Sequence, residues 1–233
     1  MDDGNTATIL VPFINGMKDA GADVEYLYTY KLNINPCTGE ANCWFVHPGK
    51  CYQDDDMNML YPKLREADVW VFSTPLYWDG CSGHMKNLID RMALPLVRPL
   101  IELRDGHTRC VKGKDYKSRK VVLVCSCGFW EMDNFDPLLN YMNAFCKNAD
   151  FEFAGALLRP HAGIMKSLLE SGEVNDILNA AKLAGRQLIG EGKFSLETLS
   201  TISRVIQSRD RYIEDYNEYI QGALNEIKQQ NVK

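Results

Sequence analysis

The stretch that most constrains the fold runs from residue 69 to residue 91. Its apolar start, Val69-Trp-Val-Phe72, is typical of a buried strand, and its end has the apolar spacing of an amphipathic helix. A loop of proline, aromatic and glycine residues lies between them. This order of strand, loop and helix is typical of an open parallel sheet, in which ligands bind beyond the carboxyl ends of the strands. We therefore expect the loop to border a binding site.

The composition of this loop suits a flat aromatic ligand. Pro75 restricts the backbone, Tyr77 and Trp78 offer ring faces, and Gly80 and Gly83 allow close approach. Ordinary aromatic packing at a strand-to-helix turn explains the same residues equally well, so the loop alone leaves both interpretations open.

The size and charge of the chain narrow its class. Its 233 residues, of which 45% are hydrophobic, are enough for one large domain or for a domain with an extension. A net charge of -5 gives no reason to expect binding to nucleic acid or to an anionic membrane. No membrane-spanning run and no secretion signal are visible, so we expect a cytoplasmic protein whose eight cysteines are reduced, metal-bound or buried thiols.

Helical and strand-like segments alternate along the chain, which predicts an α/β fold with a parallel sheet and helices on both faces. We expect Asn5 or Thr6 to cap the first helix, and Pro12 to kink it or to push its regular part downstream. The connection from 93 to 119 is rich in arginine and lysine and is predicted without strands. The predicted helices cover 5–19, 57–67, 82–92, 137–148 and 174–189, and the predicted strands cover 23–28, 69–72, 120–125 and 151–158.

The last forty residues form an extension. We place a domain at 1–193 and a helical C-terminal extension at 194–233, in which two amphipathic helices follow each other. The apolar stripe of the last helix either packs on its own domain or reaches across a dimer, and both remain open. Its members are Ile213, Tyr216, Ile220, Leu224 and Ile227.

Four motifs together resemble the NADPH-dependent FMN reductase group of flavodoxin-like proteins, and within it the branch that includes iron–sulfur flavoproteins. The resemblance covers roughly residues 4 to 163. The motifs are Gly4-Asn-Thr6, the segment Pro36-Cys37…Cys43-Trp44…Gly49-Lys-Cys51…Asp55-Asp-Met57, the pair Pro75-Leu-Tyr-Trp78 and Lys86-Asn-Leu-Ile-Asp-Arg91, and Gly113-Lys114 before the strand that leads to Cys125-Ser-Cys-Gly128.

The resemblance implies a doubly wound parallel sheet of strand order 2-1-3-4-5 with FMN at its carboxyl edge. It implies a reductase that takes hydride from NAD(P)H, passes electrons to an unnamed acceptor such as a flavin or quinone, and forms a homodimer or homotetramer. No catalytic side chain is named, because hydride transfer is the chemistry of the cofactors themselves. The implied FMN-binding residues are Gly4, Asn5, Thr6, Pro75, Leu76, Tyr77, Trp78, Ser126, Cys127, Gly128 and Phe129.

The chain departs from the family at its start. The family begins with a strand and a loop that precede the Gly-Asn-Thr motif, and this strand is central in the sheet. Without it, segments 23–28 and 69–72 would lack their shared neighbour and leave backbone groups unpaired. Asp2 and Asp3 would also stand near a phosphate. We therefore expect the natural protein to start upstream of Met1, the alternative being that another segment fills the central position.

A second departure concerns three cysteines in the loop from 33 to 54. Cys37, Cys43 and Cys51 leave a four-iron cluster one ligand short. Glu40 as the fourth ligand, a three-iron cluster, zinc with His47 or Glu40, or no metal at all are the alternatives. We expect that no iron–sulfur cluster binds.

Two other functions remain as rivals to the reductase. One is an iron–sulfur flavoprotein that carries electrons through a cluster in the Cys37–Cys51 loop without reacting with a nicotinamide. The other is a flavodoxin-fold binding or scaffold protein without cofactor. In the reductase, basic residues between Arg98 and Arg119 could meet the extra phosphate of NADPH, although a solvated loop needs no such role.

Overall fold

The sheet at the centre of the molecule has three parallel strands. We describe residues 3–93, 97–113 and 116–230 of a computed structural model. The strands are β1 (Val69–Pro75), β4 (Lys120–Ser126) and β5 (Glu152–Arg159), in the order β1-β4-β5. Val71 pairs with Val122, and Leu123 pairs with Ala156. The predicted α/β class is confirmed, and this order matches the last three strands of the expected 2-1-3-4-5 arrangement.

Helices cover both faces of the sheet. The bounds are α1 (Ala7–Asp19), α2 (Asn42–Phe45), α3 (Met57–Glu66), α4 (Gly83–Ala93), α5 (Asp136–Ala149), α6 (Asn175–Glu191), α7 (Leu196–Ser203) and α8 (Arg209–Gln230). Leu123 of β4 faces a core built with α3, α4 and α5, whereas Val122 and Val124 face a core built with α1, α6 and α7. All three side chains are fully buried, as expected for a central parallel strand.

Two glycines let α1 and α6 cross at very short range. A Cβ atom on Gly16 would lie 1.9 Å from the carbonyl oxygen of Lys182, and one on Gly185 would lie 2.1 Å from that of Phe13. Both neighbours are main-chain atoms, which cannot rotate away. The absence of side chains at these positions therefore sets the distance between the two helices.

The strand predicted over residues 23–28 is wrong, because this segment has no regular structure. A strand exists only where a neighbour accepts and donates its backbone hydrogen bonds, and the described residues place none beside it. For the same reason one edge of β1 is unpaired. A cavity of about 1390 Å³ separates that edge from the irregular segment.

The connection predicted without strands contains a hairpin. Strands β2 (Val97–Arg104) and β3 (His107–Lys112) pair antiparallel around Asp105 and Gly106, both of which have positive φ angles. An Asp-Gly pair is a strong hairpin signal, so the sequence did contain this feature. Arg104 and Arg109 of the hairpin bond to Asn148 at the end of α5. This end of α5 leads into the start of β5, so these two arginines lie away from the carboxyl ends of the strands.

The first helix begins two residues later than predicted and lacks the predicted side-chain cap, and the kink at Pro12 stays a prediction. It begins at Ala7 and continues through Pro12. Thr6 stands at its N-cap position, but the Thr6 side chain makes no capping bond. The Thr6 hydroxyl is instead bonded to Ser126, 120 residues away. A tertiary contact has therefore replaced the local cap.

The C-terminal helices differ in how they pack. Ile202 of α7 is fully buried in the core built with α1 and α6. In α8 Tyr212 is buried, whereas the five residues of the predicted apolar stripe are 37–54% exposed. The boundary at residue 193 stays a prediction. None of the helices within the described ranges is long and apolar enough to cross a membrane.

Candidate functional site

Three loops at the carboxyl edge of the sheet meet around one end of the large cavity. They precede α1, follow β1 and follow β4. Nine of the eleven predicted FMN-binding residues line this cavity: Gly4, Asn5, Thr6, Pro75, Leu76, Tyr77, Ser126, Cys127 and Gly128. Trp78 and Phe129 are outside its lining, and their side chains are 100% and 69% exposed. The motif residue Lys114 lies outside the described residues.

The first loop presents a helix N-terminus to the cavity. Thr6 Oγ1 lies 2.6 Å from Ser126 Oγ, which joins the first loop to the third. Among the described residues, the backbone N–H groups of Asn5 and Thr6 have no hydrogen-bond acceptor. Free N–H groups and the positive end of the helix dipole make such a terminus a site for a phosphate. Asp3 also lines the cavity and opposes this attraction.

The second loop contains a tight turn with two unusual residues. Tyr77 and Gly80 exchange two backbone hydrogen bonds, 2.9 and 3.0 Å long. Trp78 and Asp79 between them have φ angles of 46° and 62°. Side chains other than asparagine, aspartate and histidine rarely adopt this left-handed conformation, and a bulky one is strained there. The turn leaves the whole Trp78 ring facing solvent.

The third loop has its backbone fixed by neighbouring elements. Cys127 N–H donates to Arg159 O (2.9 Å), and Cys127 O accepts from Ala162 N–H (2.9 Å). Phe129 O accepts from His161 N–H (2.7 Å), and Phe129 N–H donates to Cys127 Sγ (3.2 Å). Within the described part of the chain, the N–H of Gly128 has no acceptor.

An arginine and a histidine that were not predicted as site residues lie buried behind the third loop. Arg159 is fully buried and donates to the carbonyl oxygens of Ile202 (2.7 Å) and Arg204 (2.8 Å) and to Nε2 of His161 (2.9 Å). Burial lowers the pKa of Arg159 to about 10. Burial and then the charge of Arg159 lower the pKa of His161 to about 4. His161 is thus a neutral interior residue.

The cysteine segment is anchored by a buried ion pair. Arg91 Nη1 lies 2.6 Å from Asp55 Oδ2 and also donates to Asn35 O (2.8 Å). Burial raises the pKa of Asp55, but the bonds from Arg91 and from the N–H groups of Asn35 and Met57 outweigh it, so the pKa of Asp55 is lowered. This contact therefore joins two of the four sequence motifs, the cysteine segment that ends with Asp55-Asp-Met57 and the helical motif that ends at Arg91.

The predicted metal ligands have unequal surroundings. Cys37 is exposed, whereas Cys43 and Cys51 are buried. Burial, followed by the negative charges of Cys51, Glu40 and Cys37, raises the pKa of Cys43, which favours the thiol over a metal-binding thiolate. No group of three or more His, Cys, Asp or Glu side chains in the described ranges has the spacing of a metal site. Metal binding at these cysteines stays a prediction.

Comparison with known families identifies the chain. The model of the NADPH-dependent FMN reductase family matches residues 1–146, more than half of the 233 residues. The chain belongs to this family. The resemblance inferred from the four motifs is confirmed.

Curated relatives match parts of this FMN reductase family member. It is 32% identical over 111 residues to an iron-sulfur flavoprotein of Archaeoglobus fulgidus, a match that covers 48% of this chain and 45% of the relative. It is 35% identical over 127 residues to an iron-sulfur flavoprotein of Methanocaldococcus jannaschii, covering 54% of this chain and 64% of the relative. It is 28% identical to YwqN of Bacillus subtilis, whose name describes an NAD(P)H-dependent FMN-containing oxidoreductase, covering 69% and 86%. The chain spans about half the length of the first of these relatives.

Solved structures share the fold of this family member. An NAD(P)H:quinone oxidoreductase from Methanothermobacter marburgensis has a TM-score of 0.57 at 18% identity, covering 81% of this chain and 90% of that one. An FMN-dependent NADH-azoreductase from Bacillus anthracis, solved in complex with FMN, has a TM-score of 0.57 at 11% identity, covering 82% and 93%. At these identities the likeness concerns the fold, and the predicted flavodoxin-like class is confirmed.

Proposed function

We propose that this chain binds FMN at the three loops and catalyses hydride transfer from a nicotinamide nucleotide to the flavin. The observation that carries the proposal is the convergence of nine predicted binding residues on one cavity, with a helix N-terminus at one wall and a free backbone N–H at another. When bound, FMN would supply the redox chemistry: it would accept a hydride, which is two electrons and a proton, from NAD(P)H, and would pass two electrons to an acceptor and release the proton to the acceptor or to solvent.

The residues of the chain supply binding and electrostatics. The N–H groups of Asn5 and Thr6 hold the phosphate, with the Thr6 and Ser126 hydroxyls beside it. Pro75, Leu76 and Tyr77 cover the ring system. The N–H of Gly128 stabilises negative charge at the pyrimidine edge of the flavin ring. The acceptor is a small flat molecule such as a quinone or flavin, in line with the exposed aromatic residues at the mouth.

The first test is the visible spectrum of the purified protein without oxygen, before and after NADPH or NADH is added. We expect a flavin spectrum that bleaches with a nicotinamide. Thr6→Val should weaken FMN binding, whereas Ser200→Ala, a hydroxyl deletion on the surface of α7, should not. A colourless protein that refuses added FMN would favour the scaffold function instead.

The electron carrier is the second candidate. Relatives named iron-sulfur flavoprotein match this chain, and Cys37, Cys43 and Cys51 occupy one loop. Iron and acid-labile sulfide are measured per protomer in anaerobic preparations. About four of each, with a flavin spectrum that no nicotinamide bleaches, would establish the carrier and contradict the reductase.

We also propose that the protein is a homodimer or homotetramer in the cytoplasm, where its eight unpaired thiols stay reduced. The apolar residues of α8 are spaced by three, four, four and three, a pattern that reads the same in both directions. Two antiparallel copies of α8 would therefore place Ile220 against its own counterpart, as a two-fold interface requires. Ile220→Glu should shift the mass measured by light scattering towards the monomer, and Gln221→Glu should not.

A further inference from the structure

The beginning of α8 and the segment before it are hydrogen-bonded to the third loop of the proposed flavin site and to His161 beside that loop. The Tyr212 hydroxyl donates to Gly128 O at 2.5 Å. Trp130 Nε1 donates to Gln207 O at 3.1 Å, and Ile206 N–H donates to Nε2 of His161 at 3.2 Å. These contacts connect residues separated by 45 to 84 positions in the sequence. The family match ends at residue 146, so the tyrosine and its segment lie outside the part of the chain that the family model covers.

Peptide planarity fixes where the N–H of Gly128 points. In a trans peptide, the N–H of one residue points opposite to the C=O of the residue before it. Cys127 O is held by Ala162 N–H, so Gly128 N–H points away from Ala162. Gly128 lines the large cavity, and a Cβ atom built on it would meet nothing within 4 Å. Within the described residues, the Gly128 N–H is therefore a donor without an acceptor at a residue that borders the cavity.

The next peptide has two hydrogen bonds, and Tyr212 makes one of them. Its carbonyl, Gly128 O, accepts from the Tyr212 hydroxyl, and its N–H, from Phe129, points the other way towards Cys127 Sγ. Glycine has the widest conformational freedom of all residues, so the peptides on either side of Gly128 can rotate unless both are held. Ala162 holds the first peptide and Tyr212 holds the second. Tyr212 is buried and its ring lies 5.7 Å from that of His161, which limits its own movement.

We propose that Tyr212 is a positioning residue. From the C-terminal helix it holds the Gly128–Phe129 peptide and, together with the Ala162 bond to the preceding peptide, it limits rotation at Gly128 and so fixes the direction of the Gly128 N–H at the flavin site. The inference rests on the proposed FMN site. It extends that site to a residue of the C-terminal extension, which thereby takes part in tuning the cofactor and not only in packing or assembly.

The test compares the wild-type protein with Tyr212→Phe and Tyr216→Phe. Tyr212→Phe removes only the hydroxyl and keeps the ring that packs on His161. Tyr216→Phe is the matched control, because Tyr216 lies one turn further along α8 and is 51% exposed, with its ring centroid 6.1 Å from that of Tyr212. For each protein we measure the FMN dissociation constant by fluorescence quenching, the flavin midpoint potential and visible spectrum, and the thermal midpoint of the apoprotein.

We expect Tyr212→Phe to bind FMN more weakly, by at most about tenfold, since the energy of one lost hydrogen bond is the upper limit of its effect on binding. Its flavin potential should become more negative, since the donor near the reduced flavin is less well placed. Tyr216→Phe should match the wild type. A Tyr212→Phe protein with unchanged potential and spectrum overturns the inference, even if its thermal midpoint falls, because the hydroxyl is then only structural. If the wild type itself binds no FMN, the proposed function fails as well, and the two failures are distinguishable.

Discussion

Arg91 and Asp55 form a bidentate ion pair in which neither side chain is exposed to solvent. Two contacts join them, Nη1 to Oδ2 at 2.6 Å and Nη2 to Oδ1 at 3.1 Å. The pair fastens the loop that carries Cys37, Cys43 and Cys51 to helix α4, which follows the flavin loop after β1. The buried guanidinium of Arg91 in α4 therefore holds the cysteine segment in place, whether or not the cysteines bind a metal.

Asp55→Asn should destabilise the protein by about 3–5 kcal/mol, because the substitution leaves the guanidinium of Arg91 buried without a countercharge. The free energy of unfolding is measured by urea titration. Asp90→Asn is the control, since Asp90 pairs with Lys86 on the same helix at 2.7 Å but is 43% exposed. Exposed pairs contribute little, so this change should be small. Equal effects of the two substitutions would contradict the role of burial.

The stability of the protein should fall as the pH drops from about 6.5 to about 4. The pKa of His161 is lowered to about 4 in the folded state, whereas an unfolded histidine has a pKa near 6.5. Between these values the unfolded chain binds a proton that the folded chain does not, which favours unfolding by up to about 3 kcal/mol. Arg159 and Tyr212, which face the ring, keep their charge states in this window.

Urea titrations across this pH range check the prediction. His161→Asn should flatten the pH dependence, and asparagine is suitable because it tolerates the φ angle of 38° at this position. His84→Asn, at an exposed site in the first turn of α4, should keep the wild-type slope. An unchanged slope in His161→Asn would assign the pH dependence to other groups.

Gly16→Ala and Gly185→Ala should each cost about 3 kcal/mol or more, because a methyl group at either position overlaps main-chain atoms of the partner helix. Gly190→Ala, in the same α6 helix, meets nothing within 4 Å. It should be neutral or stabilising by up to about 1 kcal/mol, since alanine favours a helix more than glycine does. Thermal unfolding of the three variants separates the outcomes. Tolerance of Gly185→Ala would mean that the α1–α6 distance is not set by these glycines.

Trp78→Asn should raise stability and weaken FMN binding at the same time. Asparagine relieves part of the strain at the φ angle of 46°, for an expected gain of about 1 kcal/mol. Trp78 is one of the eleven predicted FMN-binding residues, although its ring faces solvent outside the cavity lining. Asp79→Asn keeps the ring and a residue that suits a left-handed turn, so both measurements should stay near wild type. Tighter FMN binding by Trp78→Asn would show that Trp78 does not contribute to the FMN site.

Local patterns in the sequence determined most of the elements. The continuous apolar run at 120–125 predicts a strand buried on both faces, and β4 is buried on both faces. Helices α4, α5 and α6 lie within two residues of their predicted bounds, and strand β1 begins at the predicted residue and ends three residues later than predicted. The Asp105-Gly106 turn shows that the hairpin was also predictable. These features depend on residues close together in the chain, whose spacing can be read directly.

Only the tertiary structure decided the contacts between distant segments and the features of a segment that depend on a neighbouring segment. Segment 23–28 alternates like a strand but has no strand to pair with, so it stays irregular. Thr6 has the side chain of a helix cap but bonds to Ser126, and Gly128 receives the hydroxyl of Tyr212 from 84 residues away. Local sequence sets which conformations a segment prefers. A hydrogen bond across the sheet or a buried ion pair forms only when packing brings both partners out of water at the same place.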